Sequence, residues 1–146
     1  MNHSASLTVI EDKEDVARLL FSPIFICDGI LSQKAFTLET GETYISVLRP
    51  AISSFTKDID GIIHEGSTLY GYALLNVGEI RKVNSASTPT IKFDVLPRNA
   101  GKRKSHAGIY TSIEDKRIKG GTPASPALML ARMYLVRIAQ KRVHTF

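Results

Sequence analysis

The sequence has no tryptophan and a single cysteine, Cys27. No disulfide can therefore form within the chain, and no zinc spacing built on paired cysteines exists. Cys27 ends the apolar run Pro23-Ile24-Phe25-Ile26 and reads as a buried strand end, because a reactive thiol needs exposure and nearby positive charge. The histidines His3, His64, His106 and His144 are scattered along the chain without ligand spacing, so neither a metal nor a cofactor is expected. No window approaches the roughly eighteen apolar residues of a membrane span. The opening Met1-Asn2-His3-Ser4-Ala5-Ser6 lacks the basic and then apolar regions of an export signal, and a reducing cytoplasm is the expected location. A phosphate-cradling Gly-x-x-x-x-Gly-Lys-Ser/Thr loop, an internal repeat and a long linker are also missing.

What is present describes an ordinary folded chain. Hydrophobic residues make up 43% and charged residues 23% of 146 positions, enough apolar surface for one core and one domain spanning 1–146. The charge is unevenly placed. Residues 1–97 hold 8 Lys and Arg against 12 Asp and Glu, whereas residues 98–146 hold 11 against 2. A strongly basic C-terminal third points to an anionic partner: nucleic acid, a membrane surface or an acidic protein.

Glu11 to Phe21 puts Val16, Leu19 and Leu20 at helical spacing behind a cluster of acids, which predicts a short N-terminal helix ending near Ser22-Pro23. Ile24 to Cys27 predicts a strand that ends in an Asp28-Gly29 turn. Lys34 to Leu38 and Thr43 to Leu48 read as a hairpin. Pro50 to Ile59 suits a short helix with Ile52, Phe55 and Ile59 on one face. Leu69 to Val83 alternates imperfectly around Gly71 and Gly78, as one bent strand or two. Thr90 to Leu96 and His106 to Ser112 alternate cleanly, the latter with His106, Gly108 and Tyr110 on one face. A helix from Pro126 to Arg142 follows the N-cap Ser125, and its apolar first half, Ala127 to Ala131, is expected against the sheet. The fold class expected is α+β: a curved, mostly antiparallel sheet packed against a C-terminal helix and a short N-terminal helix.

Two basic loops flank the His106 strand. Arg98, Lys102, Arg103 and Lys104 precede it, and Lys116, Arg117 and Lys119 follow it. These seven are the candidate anion-binding residues, with Tyr110 as a ring for stacking. His106 titrates near neutrality, so His106 with neighbouring Tyr110 is the candidate for acid or base chemistry, with Asp28 or His64 as partners from elsewhere in the chain. No helix-turn-helix, paired RNP aromatics or GXXG clamp accompanies the basic loops.

Asp28-Gly29-Ile30-Leu31-Ser32 with Ala35-Phe36, leading into Tyr44-Ile45-Ser46-Val47, and the later Pro97-Arg98-Asn99 and His106-Ala107 resemble small uncharacterised bacterial proteins. The spacing from Pro97 to His106 is longer here. The resemblance implies a bacterial, cytoplasmic origin and carries no activity. Gly108-Ile109-Tyr110-Thr111-Ser112 is similar to one strand of ADP-ribosyltransferase-like folds, but their His-Gly-Thr-like strand is absent. The expected function is a small non-enzymatic protein that binds nucleic acid or an acidic protein through its basic third. The alternative is an enzyme acting on a phosphate-containing substrate, with His106 as acid or base.

Overall fold

The computed structural model describes residues 6–83 and 89–146; the opening segment through residue 5, including His3, lies outside them. The strands are β1 (Asp15–Ser22), β2 (Ile26–Cys27), β3 (Ile30–Leu31), β4 (Ile45–Leu48), β5 (Thr68–Asn76), β6 (Ile91–Pro97), β7 (His106–Ile113), β8 (Lys116–Arg117) and β9 (Val143–Thr145). The helices are α1 (Phe55–Ile59), α2 (Val77–Lys82) and α3 (Pro126–Gln140), with a 3-10 turn at Gln33–Phe36. Seven strands form one antiparallel sheet in the order β6-β7-β4-β1-β5-β9, with β8 pairing β7, and β2 and β3 form a separate hairpin. The fold is α+β.

β1 corrects the expected N-terminal helix. It pairs along its edges with β4 and β5, and residues from both of its faces, Val16, Ala17, Leu19, Leu20 and Phe21, are buried. A strand buried on both sides loses alternation and imitates helical spacing. The acids ahead of it serve ion pairs and not a helix dipole: Asp12 with Arg81, Glu14 with Arg49, and Asp15 with Arg142.

The expected hairpin over Lys34–Leu48 is also corrected. Ser32 accepts from the Lys34 amide and starts the 3-10 turn, and only Ile45–Leu48 is a strand, between β1 and β7. The Asp28-Gly29 turn is present, with φ of 52° and 77°, the pair of positive angles that a two-residue hairpin turn needs. Cys27, expected inside, is exposed. The helix expected from Pro50 is confined to α1. The stretch from Leu69 splits into β5 and α2, because Asn76 accepts from the Glu79 amide and caps a helix there.

β6, β7 and the start of α3 follow the sequence reading, with Ser125 accepting from the Leu128 amide at 3.2 Å and Pro126 in the first turn. α3 closes one face of the sheet through Leu128, Ala131, Leu135 and Ala139. Met129, Leu130, Met133 and Tyr134 are exposed, which corrects the expectation that the whole apolar first half is buried. Among the described residues no helix is long and apolar enough to cross a membrane.

Candidate functional site

Alternation along β7 sends Ala107 and Ile109 into the core and leaves His106, Gly108 and Tyr110 on the opposite face. β4 pairs with β7 so that Ser46 lies opposite Gly108 and Leu48 opposite His106; Tyr44 and Ser46 therefore join the same face. The loop after α1 borders this face at Ile62. Beyond it, among the described residues, no helix covers this face; both basic loops border it, with Tyr44 and Ser46 half-buried and Tyr110 buried beneath the exposed Arg98 and Arg117.

Tyr44 lies across the centre. Its ring is 5.7 Å from the His106 ring and 5.5 Å from that of Tyr110. Gly108 makes room for it: a Cβ at this position would stand 2.7 Å from the Tyr44 ring, closer than atoms pack. The Arg98 guanidinium sits 4.4 Å above the Tyr44 ring and donates Nη1–H to the Tyr110 hydroxyl at 3.0 Å. Arg117 covers the Tyr110 ring at 4.3 Å. Each guanidinium thus rests over an aromatic ring, a cation–π contact that holds the charge at this face.

The sequence candidates divide between two open cavities. The first, of about 600 Å³, is lined by Arg98, Tyr110, Arg117, Lys119 and Thr122. The second, of about 370 Å³, is lined by Ser46, Lys102, Arg103 and His106. Among the described residues no carboxylate lines either one. Among the described residues Arg98, Lys102, Arg117 and Lys119 take part in no ion pair. Lys104 and Lys116 stand apart: Lys104 Nζ donates to the Asn99 carbonyl at 3.3 Å, and Lys116 precedes Arg117 in β8, where successive side chains point to opposite sides.

The partner of His106 is Ser46. His106 Nε2 is 2.8 Å from Ser46 Oγ. Burial pushes the His106 pKa below its ordinary value, and Arg98 and Arg103 push it the same way against a smaller opposing effect of Asp58. The imidazole is therefore neutral at pH 7 and can accept the Ser46 hydroxyl proton in a hydrogen bond. Asp28 and His64 are elsewhere: Asp28 is in the β2–β3 turn, and His64 pairs with Glu39 against the Phe21 and Phe25 rings.

Buried Asp58 and half-buried Arg103 hold the loop before β7 in place. Asp58 Oδ2 accepts from the Ser105 amide at 3.0 Å, the Ser105 hydroxyl at 2.6 Å and the Ser54 hydroxyl at 2.7 Å. Arg103 donates Nε–H to the Asp58 carbonyl at 2.9 Å. On the β1 side, Arg18 donates to the carbonyls of Ala35 at 2.7 Å and Ser46 at 2.9 Å, tying the 3-10 turn to β4. Burial lowers the Arg18 pKa to about 10, with Glu42 and Glu39 opposing the fall, so it stays charged at neutral pH. Tyr44, Ser46 and Asp58 were not evident as site residues in the sequence. The one local hint is that Tyr44 and Ser46 alternate on one face of a strand, and that face acquires meaning only from the pairing with β7. Comparison with protein-family models finds no match, and none of the curated proteins or solved structures compared matches this chain.

Proposed function

We propose that this protein binds an anionic partner at the open face of β4 and β7. The reading rests above all on the convergence of Arg98, Arg117 and Lys119, none of them ion-paired, on a cavity without a carboxylate. Cations brought together without counter-charges repel one another, and an arriving phosphate or carboxylate relieves that repulsion. Arg98 and Arg117, braced on rings, keep the planar fork that suits bidentate contact with such groups. Nucleic acid and an acidic protein both supply the required charge. Titration with pyrophosphate, followed by amide chemical shifts, is expected to perturb Arg98, Arg117 and Lys119 first. Arg117→Glu with Lys119→Glu should weaken binding at least about tenfold, the scale of losing charge-assisted contacts. Lys104→Glu with Lys116→Glu makes the same charge change outside the cavity and should have little effect. Equal losses from both variants would mean that overall charge, and not this cavity, attracts the anion.

A second reading is favoured by the 2.8 Å contact between His106 and Ser46 inside the other cavity. A neutral histidine beside a hydroxyl is the arrangement of a general base, and Lys102 and Arg103 would steady the charge of a phosphate-containing substrate. Such an enzyme should hydrolyse p-nitrophenyl phosphate or a related ester at a rate that rises with pH through a pKa below 6.5 and then levels off. The sign follows from the requirement for unprotonated imidazole. His106→Asn should abolish turnover and that limb of the profile together. Absence of turnover on phosphate esters would leave anion binding as the function.

A further inference from the structure

We propose that the anionic partner is a single strand of nucleic acid that runs along β7 and places phosphates in both cavities; this deepens the anion-binding reading and rests on it. Three features of the face point to that ligand.

The first is spacing. His106 and Tyr110 are four residues apart on the same face of one strand, so the two cavities lie about 13 Å apart along β7. One phosphate or carboxylate cannot reach both. A chain of regularly spaced charges can. Arg98 stands between them: its amide donates to the His106 carbonyl at 2.8 Å, while its guanidinium bonds Tyr110 and lines the first cavity.

The second is planarity. Arg98 and Arg117 lie exposed over the half-buried Tyr44 ring and the buried Tyr110 ring, 4.4 and 4.3 Å from their centroids, and the two rings, 5.5 Å apart, are tilted by 42°. Bases stack on aromatic rings and on guanidinium planes alike. Carboxylate side chains of an acidic protein have no comparable plane to offer, so such a partner would use the charge and leave the stack idle. A duplex keeps its bases paired inside and would do the same.

The third is the histidine. His106 is neutral when the cavity is empty because burial, Arg98 and Arg103 oppose its charge. His106 lines the second cavity 2.8 Å from Ser46 Oγ, and a phosphate there favours the imidazolium, so strand binding takes up a proton and tightens as pH falls.

The test is fluorescence anisotropy of end-labelled oligouridylate and oligothymidylate of about two, four, eight and twelve nucleotides. A duplex of the longest length, a poly-glutamate peptide and pyrophosphate serve as competitors. Affinity is expected to rise about tenfold or more from the shortest to the longest strand, to fall steeply between about 50 and 200 mM salt, and to exceed that for duplex and peptide. Lys102→Glu and Lys119→Glu, at opposite ends of the face, should each weaken the long strand by about tenfold, while only Lys119→Glu weakens pyrophosphate at the first cavity. Arg117→Lys, which keeps the charge and loses the plane, should cost the oligonucleotide more than pyrophosphate. Circular dichroism of each variant verifies the fold. Pyrophosphate binding without any gain for longer strands would overturn the single-strand proposal and leave the anion site standing. Tighter binding of the peptide or the duplex would overturn it in favour of that class. Failure to bind any of these anions would remove the anion-binding reading as well.

Discussion

Glu14→Ala is expected to lower the free energy of unfolding by about 3–5 kcal/mol, the cost of leaving a buried charge without its partner. Arg49 is 0% exposed and donates Nε–H and Nη2–H to the two Glu14 carboxylate oxygens at 2.6 and 2.9 Å. Its remaining side-chain contact is one bond from Nη2 to the Val9 carbonyl at 3.2 Å, and Nη1 has no partner among the described residues. Removing the carboxylate strands a guanidinium in the interior, where nothing else neutralises it. The pair also joins the start of β1 to the end of β4, whose last turn is tied to the loop before β7 by the Arg49 amide and the Ser105 carbonyl at 2.8 Å. Urea unfolding of the single variant and of Glu14→Leu with Arg49→Met separates two explanations. The double variant removes both charges and should recover most of the loss. A loss below about 1 kcal/mol for the single variant would place the pair with ordinary surface bridges.

Asp58→Ala is expected to cost about 3 kcal/mol, because it leaves the Ser105 amide and hydroxyl buried without their acceptor. The effect should reach the site. The loop pinned by Asp58 carries Arg98, Lys102 and Arg103, so anion affinity should fall along with stability. The pH dependence has a definite sign. Burial pushes the Asp58 carboxyl up, but the bonds from Ser105 and Ser54 and the charge of Arg103 outweigh it and hold the pKa below 3.8. A group whose folded pKa is depressed contributes its full stability above the unfolded value and loses it as pH falls through the folded one. Wild-type stability should therefore decline below about pH 3.8 in part through this residue, and Asp58→Asn should show a shallower decline. Urea midpoints measured across that range check the prediction; identical acid slopes for the two proteins would remove Asp58 from the account.

Reading along the chain worked where a structural signal was local. In Thr90 to Leu96 one face is buried and the other open, and in His106 to Ser112 one face is apolar core and the other carries His106, Gly108 and Tyr110, so period-two alternation survives in the sequence and marks β6 and β7. Ser125 and Pro126 mark the start of α3 because capping uses groups within a few residues of one another. The Asp28-Gly29 turn follows from backbone angles that few residues tolerate. The basic third was visible as composition, and so was the identity of its cations.

Elsewhere the outcome depended on neighbours that sequence order does not reveal. β1 reads as a helix because both of its faces are buried within the fold, which erases the alternation. Met129 and Leu130 read as core because hydrophobicity does not say which side of a helix meets the sheet. In the same way, of seven cations known from composition, register gathered five into the candidate site and left Lys104 and Lys116 outside it. The pairing of β4 with β7 puts Ser46 beside His106 and lays Tyr44 over Gly108. Asp58 fixes Ser105 and Arg103 ahead of β7, while the pairing of β6 with β7 carries Arg98 to the Tyr44 and Tyr110 rings. By itself the sequence determined the charge, the locally encoded strands and caps, and the candidates for binding. Which of those candidates meet was decided by the tertiary structure alone, because strand register and long-range hydrogen bonds join residues whose separation along the chain carries no trace of their contact.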